Sequence, residues 1–377
     1  MKSNSPRNDS GSAAKTVQRT IVKEVSAPRL PYLPTTPRRY RPKIGLIGCG
    51  GITTVHLRAY QLDGYEVVAL SDRVPAAAEK RRVEFYPHAQ VYADYHELLA
   101  RPDIDVVDVA THPKGRARII ADALRAGKNV LSQKPFVLDL AVGRRLVALA
   151  ARQRRRLAVN QNGRWAPYLA YLRAAVAQGL LGEIQTANFV LNWDHTWTRG
   201  TAFEDVPHLM LLDFGLHWFD IVACVFAGRK ARRVSAHVAR SPGQDMKPPM
   251  LAHCAIEFDG GLASLEFNGH SPFGAREAFN VCGTRGTLRG EGAGVIQVDQ
   301  LDLFLDRGHA RPQLEGTWMP DGFRGAMGEL LCAIEEKREP VNSAANNLRT
   351  LELCFAALRS ADTGRPQVPG RVTRAVG

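Results

Sequence analysis

The fold class is decided by the stretch Ile44-Gly45-Leu46-Ile47-Gly48-Cys49-Gly50-Gly51-Ile52-Thr53. Its first four residues are typical of a short buried strand, and a run of glycines follows at once. Apolar residues at helical spacing continue from Val55 to Tyr60. The stretch therefore predicts a strand, a tight turn and a helix, which is the opening unit of a doubly wound α/β sheet.

The same unit repeats as far as residue 162. We predict further strands at 67–71, 89–92, 105–110, 129–132 and 157–160, and helices at 75–84, 95–100, 116–126 and 140–152. Strands and helices that alternate through short loops require a parallel sheet with helices on both faces. We therefore assign residues 43–163 to one doubly wound domain.

Longer strands follow after residue 163. A helix at 168–178 is predicted first, and then mainly antiparallel strands at 184–193, 233–239, 252–258, 263–268, 277–282 and 294–298. Helices are predicted at 212–225, 325–337 and 344–360. We expect an α+β domain with a large, mainly antiparallel open sheet over residues 164–370, and a tail at 371–377.

Residues 1–42 differ from both domains. They contain nine Lys or Arg residues against two acidic residues, and prolines interrupt their second half. We predict an extended basic arm that docks on the body or on a neighbouring subunit through Leu30, Tyr32 and Leu33. The pair Arg38-Arg39 is not followed by an uncharged apolar segment, which argues against an export signal.

Charge and composition exclude several classes of protein. The net charge is +13, but outside the arm the longest basic cluster is residues 152–156, at the end of a predicted helix. Nucleic acid is therefore not expected as the main partner. No apolar run approaches the length of a membrane span, and the six cysteines form no CxxC pair. We expect a cytoplasmic protein with reduced thiols and no membrane contact.

The glycine loop predicts a dinucleotide site, because glycines let the backbone approach a pyrophosphate at a helix N-terminus. Asp72 ends the second strand, 22 residues after Gly50, where its carboxylate can accept hydrogen bonds from ribose hydroxyls. Arg73 is able to receive a 2′-phosphate, so NAD is favoured and NADP stays open. The expected contacts are Gly48, Gly50, Gly51, Ile52, Asp72 and Arg73.

Three further residues carry acid–base chemistry. Lys134 follows a predicted parallel strand, and Pro135 fixes the turn that aims it into the crevice. Asp213 and His217 are four residues apart in a predicted helix, where the carboxylate would orient the imidazole. A metal held by His195, His208 and His217 is not favoured, because their spacing lacks an HxxxH-type motif, so no metal is predicted.

Taken in order, these motifs resemble those of the Gfo/Idh/MocA dehydrogenases from about residue 41 to residue 369. The family's Ala-Thr-Pro loop is similar to Ala110-Thr111-His112-Pro113, and its Glu-Lys-Pro motif is similar to Gln133-Lys134-Pro135. Its Asn-x-Arg-aromatic segment is similar to Asn162-Gly163-Arg164-Trp165, and its Asp-x-x-x-His motif matches Asp213 to His217. The glycine loop at 48–53 differs only in having Thr53 as its last residue.

The resemblance implies an NAD(P)-dependent oxidoreductase that transfers hydride to or from a hydroxyl-bearing carbon of a sugar, cyclitol or glycoside. It implies that Lys134 contacts the reacting hydroxyl and that Asp213 and His217 move its proton. It also implies cofactor contacts by Thr111, His112, Gln133 and Asn162. Gln133 replaces the usual glutamate, which would leave Lys134 easier to deprotonate.

The segment Trp193-Asp194-His195-Thr196-Trp197 predicts part of a carbohydrate pocket, because aromatic faces stack on sugars while Asp and His bind hydroxyls. The alternative is that Trp193 and Trp218 are core or interface aromatics. The expected substrate contacts are Lys134, Arg164, Trp165, Trp193, His195 and His217.

Two other functions remain open at this point. Redox-neutral, NAD-assisted elimination or hydrolysis of a sugar would use the same acid–base groups. A non-catalytic NAD-binding sensor or scaffold would use the arm to recruit a partner, although it would not need Lys134, Asp213 and His217. In each case we expect a homo-oligomer, either a dimer or a tetramer.

Overall fold

In the computed structural model, which describes residues 23–375, the chain forms two β-sheets. The first is a six-stranded parallel sheet of order β3-β2-β1-β4-β5-β6. Its strands are β1 (Lys43–Ile47), β2 (Glu66–Ser71), β3 (Gln90–Tyr92), β4 (Ile104–Val109), β5 (Asn129–Gln133) and β6 (Leu157–Asn160). The strand order reverses between β1 and β4, so a crevice opens where the loops after these two strands diverge. The predicted doubly wound sheet is confirmed.

Five helices connect these strands: α1 (Thr53–Leu62), α2 (Pro75–Phe85), α3 (Tyr95–Leu99), α4 (Pro113–Arg125) and α5 (Leu140–Arg152). In α1 the side chains of Leu57, Ala59 and Tyr60 are fully buried. Asp94 and Asp139 cap α3 and α5 by accepting a backbone N–H two residues on. Polar caps thus fix where α3 and α5 begin, and the apolar inner face of α1 fixes how that helix packs on the sheet.

The second sheet has eight strands in the order β14-β13-β12-β11-β7-β10-β9-β8. They are β7 (Ile184–Asn192), β8 (Ala231–Ala239), β9 (Leu251–Phe258), β10 (Gly261–Asn268), β11 (Arg276–Gly283), β12 (Gly286–Gly292), β13 (Gln300–Leu305) and β14 (Gly308–Ala310). Only β7 and β10 pair in parallel. The predicted mainly antiparallel sheet is therefore confirmed.

One face of this sheet is buried and the other is not. In β7 the side chains of Ala187, Phe189 and Leu191 are buried, while the residues between them are half-buried.

The remaining helices are α6 (Pro167–Ala177), α7 (Leu216–Val225), α8 (Trp318–Glu335) and α9 (Ala344–Thr363). Within residues 23–375, no helix has the length and apolar character needed to cross a membrane.

Two predicted elements are wrong. Residues 294–298 form a tight turn closed by a bridge between Gly294 and Gln297, and the sheet continues instead through β12, β13 and β14. The predicted helix 212–225 begins at Leu216 and is preceded by a π-helical turn, Met210–Phe214. Gly215 N donates to Met210 O, and a Cβ on Gly215 would lie 2.6 Å from that oxygen. The widened turn therefore depends on glycine.

Residues 23–42 of the predicted arm pack on the chain's own body. Leu30 is buried in the main core, and the Tyr32 ring meets Tyr171 edge-on at 6.1 Å. The Tyr32 hydroxyl accepts the backbone N–H of Glu315. Leu33, the third expected contact, is 50% exposed and takes no part in this docking. Residues 1–22 of the arm and 376–377 of the tail lie outside the described residues.

Candidate active site

The glycine loop joins β1 to α1 at the switch point of the parallel sheet. Gly48 has a φ of +93°, and a Cβ there would lie 2.8 Å from Thr111 N, so only glycine fits. By contrast, a Cβ on Gly50 or Gly51 would have no neighbour within 4 Å. The loop thus presents open space at the N-terminus of α1, as a pyrophosphate requires.

Asp72 lies beside this loop at the end of β2. Its Oδ2 accepts the Cys49 N–H at 2.8 Å, and its Oδ1 accepts the Val74 N–H at 2.8 Å. Each oxygen keeps lone pairs for ribose hydroxyls, so these residues fit a dinucleotide. Ile52 and Arg73 are exposed at the same edge.

Sequence reasoning missed Arg81, which supports the loop from α2. This buried arginine donates from Nε to Thr53 Oγ1 at 3.2 Å and from Nη2 to Gly50 O at 3.3 Å. Its hydrogen bonds fix the loop from behind. No local motif marks the residue, because its partners lie 28 and 31 positions earlier in the chain.

Lys134 joins the two halves of the chain. Its half-buried side chain leaves the end of β5 and donates from Nζ to Asp213 Oδ1 at 2.8 Å and to Asp213 O at 2.9 Å. Burial by itself would raise the pKa of Asp213, but the charge and hydrogen bond of Lys134 hold it below its ordinary value. The carboxylate is therefore ionised and paired at neutral pH.

His217 is close to this ion pair but is not paired with Asp213, so the predicted hydrogen-bonded couple is wrong. The π-helical turn places Asp213 outside the regular helix, and Lys134 binds its carboxylate. His217 Nδ1 has no hydrogen-bond partner among the described residues. Burial and the charge of Lys134 lower the pKa of His217 to about 3.

The charges of Lys134 and Asp213 also act on the imidazole of His195. It follows β7, is 5% exposed, and packs against Trp193 and Phe214. Burial lowers the pKa of its imidazole to about 4, with Asp213 and Lys134 acting in opposite directions. Trp193 is also buried, with its ring 3.9 Å from that of Phe214. His208, the third histidine considered for a metal, instead contacts Asp362 in α9 at 2.6 Å.

Two expected substrate contacts lie in the interior. The Arg164 guanidinium is 2% exposed, donates to both carboxylate oxygens of Asp220, and donates to Asn346 Oδ1. Trp165 packs under Gly325, where a Cβ would lie 2.1 Å from the indole. Arg164 and Trp165 therefore hold α7, α8 and α9 together, and their expected contact with substrate stays a prediction.

Four more residues were expected to contact the cofactor, and two of them are accessible while the other two are buried. Thr111 is half-buried and His112 is exposed, in the loop after β4. The Gln133 side chain turns inward, where Oε1 accepts the Lys134 N–H at 2.6 Å and Nε2 lies 3.2 Å from His56 Nε2. Asn162 Oδ1 accepts the Trp318 indole N–H at 2.7 Å. Gln133 and Asn162 thus make contacts within the protein, and their expected role as cofactor contacts stays a prediction.

Gln133 belongs to a buried polar network that sequence reasoning did not anticipate. His56 Nδ1 lies 2.7 Å from Asp108 Oδ2, to which Tyr60 also donates at 2.6 Å. The second His56 nitrogen faces the amides of Gln133 and Asn160. A carboxyamide at position 133 suits this place, because it can donate toward His56 and accept from Lys134 at once.

Arg116, like Arg81, is a buried arginine that holds loops of the site in place and that sequence reasoning missed. It is 2% exposed and donates from Nε to Thr111 O at 2.9 Å, and from Nη1 to Gln133 O and Pro135 O at 2.5 Å each. Burial lowers its pKa to about 9, although the charges of Asp108 and Asp213 act in the opposite direction. One guanidinium thus joins the loop after β4 to the loop that carries Lys134.

Comparison with known proteins agrees with this geometry. Residues 42–161 match the family model described as "Oxidoreductase family, NAD-binding Rossmann fold", and residues 169–289 match the "GFO/IDH/MocA C-terminal domain". D-apiose dehydrogenase from Paraburkholderia graminis is 29% identical over 88% of this chain and 90% of its own. Inositol 2-dehydrogenase from Rhizobium meliloti is 24% identical over 84% and 96%.

Solved structures share the fold. An oxidoreductase from Agrobacterium radiobacter, in complex with NAD+, L-tartaric acid and magnesium, aligns over 88% of this chain and 99% of its own, with a TM-score of 0.78 and 20% identity. Levoglucosan dehydrogenase, in complex with NADH and levoglucosan, aligns over 88% and 100%, with a TM-score of 0.75 and 18% identity. Both contain the two-sheet arrangement described above.

Proposed function

Because the chain belongs to the Gfo/Idh/MocA family of NAD-binding oxidoreductases, we propose that it oxidises a hydroxyl-bearing carbon of a sugar or cyclitol. The observation that carries this proposal is the convergence of Lys134, Asp213 and His217 from opposite halves of the chain. Relatives named D-apiose dehydrogenase and inositol 2-dehydrogenase support the substrate class.

The chain's own groups account for the proton that must leave the hydroxyl. NAD, when bound at the glycine loop, supplies the acceptor for the hydride. Lys134 uses two of its N–H bonds on Asp213, which leaves the third for the substrate oxygen and stabilises negative charge there. His217 is neutral at neutral pH, so its ring nitrogen has a lone pair that can accept the hydroxyl proton, and the Asp213 carboxylate opposes the burial and the Lys134 charge that disfavour the resulting imidazolium.

An assay of oxidised cofactor against a panel of sugars, cyclitols and glycosides tests this function by the absorbance of reduced nicotinamide. We expect turnover with at least one member and loss of turnover in Lys134→Ala. Consumption of substrate without accumulation of reduced nicotinamide would replace this proposal with redox-neutral chemistry. NAD binding without any turnover across the panel would favour the scaffold.

We also propose that NAD is preferred to NADP. The Asp72 carboxylate is fixed by two backbone N–H groups, so a 2′-phosphate would meet a negative charge that cannot move away. Arg73 is exposed beside it and is the group that would favour NADP. Fluorescence titration with both oxidised cofactors decides the matter, and tighter binding of NADP would reverse the assignment.

The uncovered face of the eight-stranded sheet supports a homo-oligomer. Small or polar side chains such as Asn188, Ala255 and Ser264 alternate there with the buried ones. Val190→Arg should dissociate an assembly formed through this face, whereas Val83→Arg, on the exposed surface of α2, should not. Sedimentation velocity measures both, and a wild-type monomer would contradict the proposal.

A cytoplasmic location is the remaining part of the proposal. All six cysteines are free thiols, in agreement with a reducing compartment. Cell fractionation with antibody detection tests it.

A further inference from the structure

His195 is fixed by its own backbone as well as by its ring contacts. Its N–H donates to Gly269 O at 2.8 Å, and its carbonyl accepts the Thr198 hydroxyl at 2.8 Å. The ring lies between Trp193, Trp197 and Phe214, with centroid distances of 5.2, 5.1 and 5.2 Å. The imidazole therefore has one place and one orientation in the site.

Two indole groups decide where its proton resides. Trp193 Nε1 lies 3.0 Å and Trp197 Nε1 lies 3.2 Å from the same atom, His195 Nδ1. An indole nitrogen can only donate a hydrogen bond, so Nδ1 must offer its lone pair to both. In a neutral imidazole the proton then belongs on Nε2.

The doubly protonated ring does not fit this arrangement. Its Nδ1–H would face two N–H donors, and both indole groups would lose their acceptor. Burial and Lys134 also oppose a positive charge here, although Asp213 and Asp194 favour one, and the resulting pKa is about 4. His195 is consequently a neutral Nε2–H imidazole at neutral pH.

The Nε2 atom itself is buried and has no hydrogen-bond partner among residues 23–375. A buried donor without a partner destabilises the protein, so an acceptor from outside the chain would remove that cost. Asp213 and Lys134, the groups assigned to the reacting hydroxyl, act on this ring together with Asp194. The missing acceptor therefore belongs to a molecule bound in the same site.

We propose that His195 is a specificity-determining hydrogen-bond donor, held in the Nε2–H form by Trp193 and Trp197 and directed at an oxygen atom of the substrate. This inference rests on the proposed function and adds a role for one residue. A hydroxyl, ring or carbonyl oxygen satisfies this donor, whereas an ammonium or methylene group at that place leaves it unpaired. His195 contributes binding and orientation, and it takes no proton during the reaction.

NMR of the full-length protein with 15N-labelled histidine tests the tautomer without any substrate. The His195 signal is assigned by its loss in His195→Gln, with His88→Gln, an exposed residue, as the control for assignment. We expect a protonated Nε2, a bare Nδ1 and no titration above about pH 5. A proton on Nδ1, or titration between about pH 5.5 and 8, would overturn the proposal.

Kinetics then test the direction of the bond, with the sugar or cyclitol that the panel identifies. His195→Phe should raise KM about ten-fold or more and change kcat only a few-fold, while both limbs of the pH profile persist. His195→Gln should recover part of the KM, because its amide can accept from the indoles and donate to the substrate. Trp197→Phe should act in the same direction as His195→Phe, but more weakly.

A fall in kcat of about 10²–10⁴ with loss of one pH limb in His195→Phe would show a general base and contradict the proposal. An unchanged KM would show that Nε2 meets no substrate atom, and would contradict it too. If no substrate is turned over at all, the proposed function fails, and the NMR result still decides the state of His195. The two failures are therefore distinguishable.

Discussion

At the scale of single residues, we expect the ion pair between Lys134 and Asp213 to affect the chemical step more than the binding of the cofactor. The dinucleotide cradle consists of the glycine loop and Asp72, which contact neither residue. Lys134→Met should lower turnover about 10²–10⁴-fold, and His217→Asn should fall in the same range. Asp213→Asn should cost less than either, because Lys134 stays in place but loses its carboxylate. NAD affinity, measured by fluorescence titration, should remain within a few-fold in all three.

Lys230→Met is the matched control, since this exposed lysine follows α7, away from the pair. It should behave as the wild type. Turnover near the wild-type rate in both Lys134→Met and His217→Asn would reject the assignment of these residues.

Arg116 allows a second prediction at this scale. Its guanidinium donates to three carbonyl oxygens, and a lysine cannot reach all of them. Arg116→Lys should lower the free energy of unfolding by about 3 kcal/mol, because buried carbonyls lose charged donors. It should also lower kcat more than it raises KM, since the loop of Lys134 loses its support. Denaturant unfolding and steady-state kinetics measure the two effects.

Arg118→Lys serves as the control, because the Arg118 side chain in the same helix is 80% exposed. If Arg116→Lys and Arg118→Lys were equally stable and equally active, the hydrogen bonds of Arg116 would contribute neither to stability nor to activity.

Residues whose partners are near in sequence were the predictable ones. Gly48 and Asp72 belong to one strand–turn–helix–strand unit, and their spacing alone indicates their place. The partner of Asp213 is Lys134, 79 positions away, and the partner of Arg164 is Asp220, 56 positions away. Spacing within a helix suggested His217 as the partner of Asp213, and Arg164 was expected to contact the substrate. Only the packing of the two halves shows which charge meets which.

At the scale of elements, β11 carries a buried carboxylate that makes stability depend on pH. Glu277 is fully buried, and it accepts from the Tyr168 hydroxyl at 2.8 Å and from Ile296 N at 2.7 Å. Burial raises its pKa to about 7, although these hydrogen bonds act in the opposite direction. A raised pKa means that the folded state binds the proton more tightly than the unfolded state. Its stabilising effect is therefore present below the unfolded pKa and is lost as the pH rises through about 7.

The expected loss from this one group is about 3 kcal/mol between about pH 4.5 and pH 7. Glu277→Gln should flatten that dependence, because an amide does not titrate. Denaturant unfolding at about pH 5 and about pH 8.5 measures how the free energy of unfolding changes with pH, with Glu66→Gln, an exposed position at the start of β2, as the control. Equal slopes in the wild type and Glu277→Gln would contradict the prediction.

The elements themselves were predictable where their pattern is strong. The strands of the parallel sheet are short apolar runs between helices, and all six were found at nearly the observed bounds. By contrast, β12 contains three glycines in seven residues and has no apolar alternation. Gly290 is required there, because a Cβ would lie 2.2 Å from the Phe279 ring on β11. The sequence of β12 alone does not show this need for glycine, because it arises from packing against β11.

At the scale of the whole molecule, the candidate active site lies at the junction of the two sheets. The first half of the chain contributes the cofactor loop and Lys134, and the second contributes Asp213, His217 and His195. Neither half contains the complete set. The geometry therefore depends on how firmly the halves are joined, and Asn342 lies in that joint, where its Nδ2 donates to Val159 O at 3.0 Å and its carbonyl accepts the Val159 N–H at 2.8 Å.

The segment 23–42 is part of the same assembly, because it crosses the body from β14 to α8. At one end, Val25 N donates to His309 O at 2.8 Å and His309 N donates to Lys23 O at 2.8 Å. At the other end, the backbone N–H groups of residues 38–40 donate to the Glu335 carboxylate, at 2.6 to 2.8 Å. Leu30 is buried between these two anchors.

Deletion of residues 1–40 should therefore destabilise the protein, whereas deletion of residues 1–22 keeps every contact named above. Loss of Leu30 alone removes about 1.5–3 kcal/mol of apolar burial, and the hydrogen bonds at both ends are lost with it. The melting temperature should fall by several degrees after the longer deletion, and Glu335→Ala should give a smaller shift in the same direction. Differential scanning calorimetry of the two deletions and the point variant makes the comparison. Equal melting temperatures for the two deletions would mean that the docked segment does not stabilise the body.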